Sequence, residues 1–396
     1  MTMQDRRESW IFVLTLLSAA TSLVSIAASE TLLGAACLLW IVIRPRPLHL
    51  PAYVLPLCAF MLTTVLSFWM SPDRSVGGHQ IAKFVLFPIG LLAANFVNDS
   101  WRIKWTYRSL LIVAAAGSLT ALVQFGLKER RFLMTGAIEH DPMVLDRVKG
   151  FMGHWMTFSG GQLLVWCAVI PILALVGARW IVPLSIVGVG IVFSNTRSAW
   201  LGAAAGIGLT SFWLPRKQLV RILVPIAAVA LLASPFIYHR LSMTVKLESG
   251  GDMGRIKLLK VGMEMVRTYP LFGVGLERIP AEFPRYYQGD DLQTFYIGHM
   301  QNDFMQIAAE RGLICFAAFM WFLLSLFRSL WRFLKSGDEL LRTTALSALS
   351  ALTGFLVMGL FEFNFGDSEP LILFFFIVSI PFGVDAVRRR APQTVP

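Results

Sequence analysis

Arg197, Arg255 and Arg278 are the residues of this sequence best suited to bind an anion. Arg197 lies in SNTRSAW between two strongly apolar runs, Arg255 begins RIKLLKVGMEMVRT, and Arg278 ends the turn PLFGVGLER. A guanidinium group stays charged and makes bidentate hydrogen bonds to phosphate oxygens, so converging arginines suit a pyrophosphate. The alternative is that Arg197 only extends its charge to water and that the two others are solvated.

His299 is the main candidate for a general base, because histidine exchanges a proton near neutral pH. It lies in GHMQNDFMQIAAERG, immediately before a long apolar stretch. Asn302, Gln306 and Glu310 follow at four-residue spacing, which places them on one helical face and predicts a polar cavity wall. Asn302 and Gln306 are therefore predicted to support the site. A purely structural role for His299 is the alternative.

His154, in FMGHWMTF, is the second candidate for the base. Signatures of nucleotide-dependent and metal-dependent enzymes are absent: the sequence has no P-loop, GxSxG, HExxH or kinase motif. The adjacent Asp290 and Asp291 resemble an ordinary polar turn more than a metal site. We therefore predict that the protein uses neither a metal nor a cofactor.

The elements that must position these residues are membrane-spanning helices. The 396-residue chain is 56% hydrophobic and only 15% charged, and its mean hydropathy is +0.64. A membrane helix needs roughly 20 apolar residues, and the apolar runs place about twelve such spans. The predicted spans are 10–28, 31–44, 51–71, 80–98, 108–126, 158–177, 180–196, 198–214, 219–237, 312–334, 341–362 and 369–387.

Positive charge predicts the orientation of these spans. If the N-terminus is cytoplasmic, every second short connection is rich in lysine and arginine, and both termini are cytoplasmic. The short connections on the opposite side, around Glu30, 72–79 and 363–368, carry only Arg74 between them. The net charge of +11 is thereby explained without a nucleic-acid partner.

Two longer segments lie on the non-cytoplasmic side in this topology. We predict helices 1–9 within residues 1–237, with an external loop at 127–157, and a large external loop at 238–311 that carries the site. Residues 312–396 then hold helices 10–12 and a cytoplasmic tail. Within the large loop, Ile256, Leu259, Met263 and Val266 recur at helical spacing, which predicts an amphipathic helix that ends before Pro270 and lies along the membrane surface.

Taken together, several segments resemble the O-antigen ligase and polymerase family of bacterial membrane glycosyltransferases. The segments are RVKGFMGHWMTFSGG, FSNTRSAWLG, GRIKLLKVGMEMVRTYPLFGVG and GHMQNDFMQIAAERG. The resemblance implies an all-α, GT-C-like integral membrane protein of the bacterial inner membrane, with about twelve transmembrane helices and one large periplasmic loop. It also implies transfer of a glycan from undecaprenyl pyrophosphate to a hydroxyl acceptor, such as a sugar of lipid A-core, at the periplasmic membrane face.

The resemblance assigns a role to each candidate residue. Arg197, Arg255 and Arg278 correspond by local motif to family arginines that bind the pyrophosphate, and His299 lies in the motif that supplies the base. Many members carry a histidine where this sequence has Gln301, so either His299 is the base or another residue acts. No metal and no nucleotide sugar is implied.

Four alternatives remain open at the level of sequence. The same donor chemistry serves a polymerase of lipid-linked repeat units and a ligase that modifies protein hydroxyls. A member without activity that serves assembly is a third possibility. A transporter or flippase also fits twelve spans, but transporters commonly have two related halves, whereas here the arginines and His299 concentrate in one external loop.

Overall fold

The computed structural model describes residues 3–44, 48–135, 147–217, 219–220, 224, 228, 231, 234, 251–287, 289 and 298–390, and the regular secondary structure of these residues is all helical. The helices are α1 (Met3–Thr21), α2 (Ile26–Ile43), α3 (Val54–Met70), α4 (Gly78–Ala82), α5 (Pro88–Phe96), α6 (Ser100–Thr135), α7 (Trp155–Val176), α8 (Ile181–Phe193), α9 (Arg197–Ser211), α10 (Gly251–Thr268), α11 (Ile279–Glu282), α12 (Asp303–Leu334), α13 (Glu339–Gly359) and α14 (Ser368–Arg390). Short 3-10 turns cover Lys83–Leu86, Ala178–Trp180, Phe283–Arg285 and Asn364–Gly366.

Seven stretches of the described residues are long and apolar enough to cross a membrane, which makes this an integral membrane protein. They are Ile26–Ile43, Gly78–Phe96, Ser100–Arg131, Trp155–Val176, Asp303–Leu334, Glu339–Gly359 and Ser368–Arg390, and the apolar helices Val54–Met70 and Ala178–Phe193 are shorter. Each predicted span except 219–237 overlaps a helix, and 219–237 falls largely outside the described residues. The total of about twelve spans stays a prediction.

Several boundaries differ from those predicted. The predicted span 80–98 is interrupted by a 3-10 turn before Pro88, which has no amide hydrogen to continue a helix. Helix α6 continues through Thr135, so helical structure extends into the segment predicted as the loop 127–157. Helix α12 begins at Asp303, nine residues before the predicted start at 312.

The bundle is organised around α7 and α14, which are buried along almost their whole length. Helix α13 packs on α7, α9 and α14, while α3 packs on α12 and α5 on α14. The outer helices expose apolar side chains such as Val42 and Leu62, as expected for surfaces that face lipid.

A second, smaller core joins α10 to the start of α12. Leu258, Val261 and Met265 of α10 are buried there against Met300 and Phe283. The predicted helix is confirmed by α10, and Ile256, Leu259 and Met263 of the stripe predicted to face the membrane surface remain between 38% and 49% exposed. Tertiary packing selects the other apolar face of the helix.

Helix α12 is broken at Gly312, whose φ of 78° and ψ of 173° are not helical. Segment 270–275 lies against the break and exchanges backbone hydrogen bonds with it. The N–H groups of Val274 and Gly275 donate to the carbonyls of Ala309 and Glu310, and the N–H of Leu313 donates to the carbonyl of Pro270 at 2.7 Å. The groups that the break releases are thereby satisfied.

Candidate active site

Glu362 is the residue on which several elements of the site converge. It lies in the connection between α13 and α14 and is 4% exposed. Arg255 of α10 places Nη2 3.4 Å from Glu362 Oε1, and the hydroxyl of Ser198 donates to the same oxygen at 3.5 Å. Since Ser198 follows Arg197 at the start of α9, the carboxylate links the two motifs that carry Arg197 and Arg255.

Burial raises the pKa of Glu362 from its ordinary 4.5 to about 7. The charges of Arg255 and Arg147 and the Ser198 hydrogen bond oppose this rise, whereas Asp367 adds to it. Among the described residues, no group donates a hydrogen bond to the second carboxylate oxygen, Oε2, which is fully buried. Glu362 is therefore poised between its charged and neutral forms near neutral pH.

Arg147 is a member of the cluster that the sequence analysis missed. Its guanidinium lies over the ring of Trp155 at 5.0 Å from the centroid, and its charge lowers the pKa values of both Glu362 and His154. The residue begins RVKGFMGHWMTFSGG, a segment that carried the family resemblance without a role for its arginine. Arg147 and Trp155 are eight residues apart, and a single pair at that spacing forms no periodic pattern, so the sequence did not indicate their contact.

His299 lies in a tight turn before α12. Its ring Nδ1 accepts a hydrogen bond from the N–H of Gln301 at 3.1 Å, and Gln301 adopts a φ of 49° to form the turn. Burial lowers the pKa of His299 from 6.5, against the opposing charge of Asp367. The ring is thus neutral at pH 7, and because Nδ1 accepts, its proton resides on Nε2.

His154 occupies a matching position at the start of α7. Its Nδ1 accepts from the N–H of Met156 at 3.2 Å and so caps the helix, and its ring lies 3.9 Å from that of Trp155. Burial lowers its pKa, and Asp367 opposes this effect as it does for His299. The charge of His154 also lowers the pKa of His299, so both imidazoles and Asp367 share one electrostatic neighbourhood.

The side chains of Asn302 and Gln306 serve the fold. Asn302 caps α12 through the N–H of Met305 and donates from Nδ2 to the carbonyl of Leu360, both at 2.8 Å. Gln306 accepts from the N–H of Met300 at 2.7 Å and is 2% exposed. The predicted polar stripe faces inward, and these two side chains hold the turn that carries His299.

Asp303 completes this attachment. Its Oδ1 accepts from the N–H of Phe365 at 3.0 Å, and it is fully buried. Gly359 makes room for the carboxylate, since a Cβ there would lie 2.1 Å from Asp303 Oδ2. Asn302 and Asp303 therefore fasten both ends of the segment that carries Glu362, and they fix its position relative to His299.

Arg278 lies in a different place from the other predicted arginines. Its Nη2 donates to Glu282 Oε1 at 2.6 Å, and its side chain lines an open cavity of about 570 Å³. Neither Arg197 nor Arg255 lines that cavity. The structure thus brings two of the three predicted arginine motifs to Glu362 and puts the third beside a cavity of its own.

Strained backbone marks the same segments. Of the four described non-glycine residues with positive φ, Asn195 precedes Arg197 by two residues, Glu277 directly precedes Arg278, and Gln301 follows His299 by two. Such conformations cost free energy and concentrate at functional sites. The strain in these three turns therefore supports a functional role for the residues beside them.

The cluster is built from guanidinium, carboxylate and imidazole groups. Within the part of the chain that the structure describes, no group of three or more His, Cys, Asp or Glu side chains has the arrangement of a metal site. Asp290 and Asp291 lie outside that part.

The comparison with known families identifies the relationship that these motifs indicate. Residues 182–320, which include Arg197, Arg255, Arg278 and His299, match the family model described as O-Antigen ligase. No curated protein sequence matches the chain. The match covers less than half of the chain, and within residues 182–320 the protein is similar to the O-antigen ligase family.

Proposed function

We propose that the protein transfers a glycan from undecaprenyl pyrophosphate to a hydroxyl group of lipid A-core. The observation that carries this proposal is the convergence of α9, α10 and the α13–α14 connection on Glu362, with Arg255 and Ser198 on one carboxylate oxygen. The family match supports a membrane glycosyltransferase of the ligase or polymerase type.

Arg197 and Arg255 are the proposed ligands of the diphosphate, and Arg147 adds a third positive charge. Glu362 and Asp367 are carboxylates of the same neighbourhood, in which Arg255 and Arg147 act on Glu362. A diphosphate has the charge and geometry that guanidinium groups bind. These groups would stabilise the negative charge that develops on the leaving undecaprenyl pyrophosphate.

The proposed reaction is a direct displacement. The oxygen of the acceptor hydroxyl forms a bond to the anomeric carbon, and the bond from that carbon to the pyrophosphate oxygen breaks. The leaving group takes the electron pair, and the configuration at the anomeric carbon inverts. The hydroxyl proton passes to a base on the protein.

His299 is the first candidate for that base, since its lowered pKa keeps the ring neutral at pH 7. Proton transfer to Nδ1 requires the N–H of Gln301 to release it. Glu362 is the second candidate, because Oε2 is buried and no described group donates to it. Its pKa of about 7 suits a group that takes up a proton near neutral pH.

The proposed setting is the bacterial inner membrane, with both termini in the cytoplasm and the site on the periplasmic side. The basic short connections of the sequence support this orientation. In this orientation, α10 lies at the periplasmic surface of the inner membrane, where its residues Ile256, Leu259 and Met263 are exposed. Membrane lipids would then contact this face.

The experiment that tests the proposal uses the purified full chain in lipid nanodiscs with EDTA present. A labelled undecaprenyl-pyrophosphate glycan is supplied with lipid A-core, or with a second copy of the donor as acceptor. Transfer to lipid A-core supports the ligase, while growth of the donor chain shows a polymerase. Lack of both, in a preparation that still binds the donor, contradicts the proposed function.

The choice of base is tested in the same assay. His299→Ala is expected to abolish transfer while the protein remains folded, and His154→Ala tests the other predicted histidine in the same way. Undiminished transfer by His299→Ala, together with its loss in Glu362→Gln, would assign the proton to Glu362.

A further inference from the structure

The cavity beside Arg278 has the composition of a ligand-binding site. It measures about 570 Å³, which is within the range of small-molecule pockets. Met70 at the end of α3 and the segment after α10 form its apolar side, in which Tyr269 is 39% and Leu271 is 57% exposed. Arg278, Glu282 and Arg285 form its polar side.

The polar side is an ordered row of three charges. Glu282 is 5% exposed, and its two oxygens accept from Arg278 at 2.6 Å and from Arg285 at 2.7 Å. Arg278 is 15% exposed, whereas Arg285 is 67% exposed and retains further N–H donors. The row presents donors and acceptors in fixed positions next to an apolar surface.

The wall of the cavity is also fixed. Segment 270–275 is tied to the break in α12 by three backbone hydrogen bonds, and the hydroxyl of Ser67 donates to the carbonyl of Phe272 at 2.7 Å. At Gly273, a Cβ would lie 2.4 Å from the carbonyl of Glu310, so only glycine permits this approach. A preformed wall spares a ligand the cost of ordering the site.

We propose that this cavity binds a saccharide portion of one of the two substrates, an inference that rests on the proposed function. Sugar hydroxyls both accept from guanidinium groups and donate to a carboxylate, and the C–H face of a sugar ring packs on apolar and aromatic side chains. Arg278 then recognises glycan instead of diphosphate. The glycan belongs to either the donor or the acceptor, and the test distinguishes them.

The test compares two arginines of similar exposure. Arg285 pairs with Glu282 and is 67% exposed, while Arg267 pairs with Glu264 at the same three-residue spacing, is 68% exposed and does not line the cavity. The full chain in nanodiscs is titrated with two water-soluble probes. One is deacylated lipid A-core oligosaccharide, and the other is the donor glycan released from its lipid.

Arg285→Ala is expected to raise the dissociation constant for one probe by about tenfold, since a charge-assisted hydrogen bond is lost. Arg267→Ala should leave it unchanged, and Arg285→Lys should restore part of the affinity. Tyr269→Ala is expected to act in the same direction as Arg285→Ala. The probe that responds identifies the substrate, and KM for that substrate should rise while kcat is maintained.

Two results would overturn the saccharide site while the proposed function stands. One is transfer by the unaltered protein without binding of either probe, and the other is equal affinity in Arg285→Ala and Arg267→Ala. The opposite outcome is also distinguishable. If Arg285→Ala weakens binding of a probe but the unaltered protein transfers glycan to no acceptor, the saccharide site is supported and the proposed function is contradicted.

Discussion

Arg255 and Glu362, which are 107 positions apart in sequence, form an ion pair with Nη2 3.4 Å from Oε1. This pair joins helix α10 to the connection between α13 and α14. It also explains how the guanidinium is held 28% exposed at the edge of an apolar bundle. A buried carboxylate fixes its position and leaves part of it accessible.

The first prediction concerns Arg255 itself. Arg255→Ala is expected to lower kcat by about 100-fold or more, since one preorganised donor to the leaving group is lost. Arg267→Ala, on the exposed side of the same helix, should have no effect. Turnover of labelled donor in nanodiscs measures both.

A double variant tests whether the loss of activity arises only from leaving the buried Glu362 carboxylate without its cation. Arg255→Ala leaves Glu362 buried without its cation, whereas Arg255→Ala combined with Glu362→Gln removes both charges. Recovery of activity in the double variant would contradict a direct role of Arg255 toward the donor.

The pH dependence of kcat distinguishes the two candidate bases. A base must be deprotonated, so activity falls as pH drops below its pKa. If His299 is the base, the midpoint of the acidic limb lies below 6.5, because burial lowers its pKa from that value. A midpoint near 7 would instead indicate Glu362.

Glu362 also makes the stability of the protein depend on pH. Its pKa is 4.5 when unfolded and about 7 when folded, so the folded state binds more protons between these values. Stability therefore falls as pH rises through this interval, by roughly 3 kcal/mol from this group. Glu362→Gln removes the contribution, and its melting temperature relative to the unaltered protein should rise between pH 5 and pH 8. A constant difference would contradict the burial of an ionisable group at this position.

Asn302 should matter for stability. Asn302→Ala removes the cap of α12 and the hydrogen bond to Leu360, at an expected cost of about 2 kcal/mol in the free energy of unfolding. Asn302→Asp keeps the cap but cannot donate to the carbonyl of Leu360. Its free energy of unfolding should therefore lie between those of the unaltered protein and Asn302→Ala. If Asn302→Ala impairs turnover but leaves the thermal or denaturant unfolding curve unchanged, a contact with substrate is indicated instead.

Gly312 permits the break in α12. In Gly312→Ala, the new Cβ would lie 2.2 Å from the carbonyl oxygen of Leu271, at a φ of 78° that disfavours alanine. The expected cost is about 3 kcal/mol. Gly337→Ala is the control, since no atom lies within 4 Å of its Cβ position, and it should change stability by less than about 0.5 kcal/mol. Equal melting temperatures for the two variants would exclude a structural need for glycine at position 312.

The sequence allowed the helices and the site motifs to be predicted, but not the contacts between distant segments. Periodicity predicted α10 and Pro270 predicted its end, since both are local effects. The second apolar face of α10 was not predicted, because Leu258, Val261 and Met265 pack on residues about 40 positions later.

The roles of polar residues depended even more on distant partners. Asn302 and Gln306 were predicted to support the site, but the sequence did not indicate that they hydrogen-bond backbone groups of Leu360 and Met300. Glu362 was not predicted as part of the site, because its partners Ser198 and Arg255 lie more than 100 residues earlier. Arg197 was identified from its charge between two apolar runs and Arg255 from its place at the start of the amphipathic helix, and both are local properties.

The exchange of backbone hydrogen bonds between segment 270–275 and the break in α12 limits how acceptor preference can diversify. The segment 251–287 takes part of its core and three of its backbone partners from α12, so it is not a module that can be grafted alone onto another membrane bundle. A chimera that exchanges residues 251–287 must carry 298–313 with them to fold. New specificities are therefore more accessible through single side chains on the cavity surface than through exchange of the whole loop.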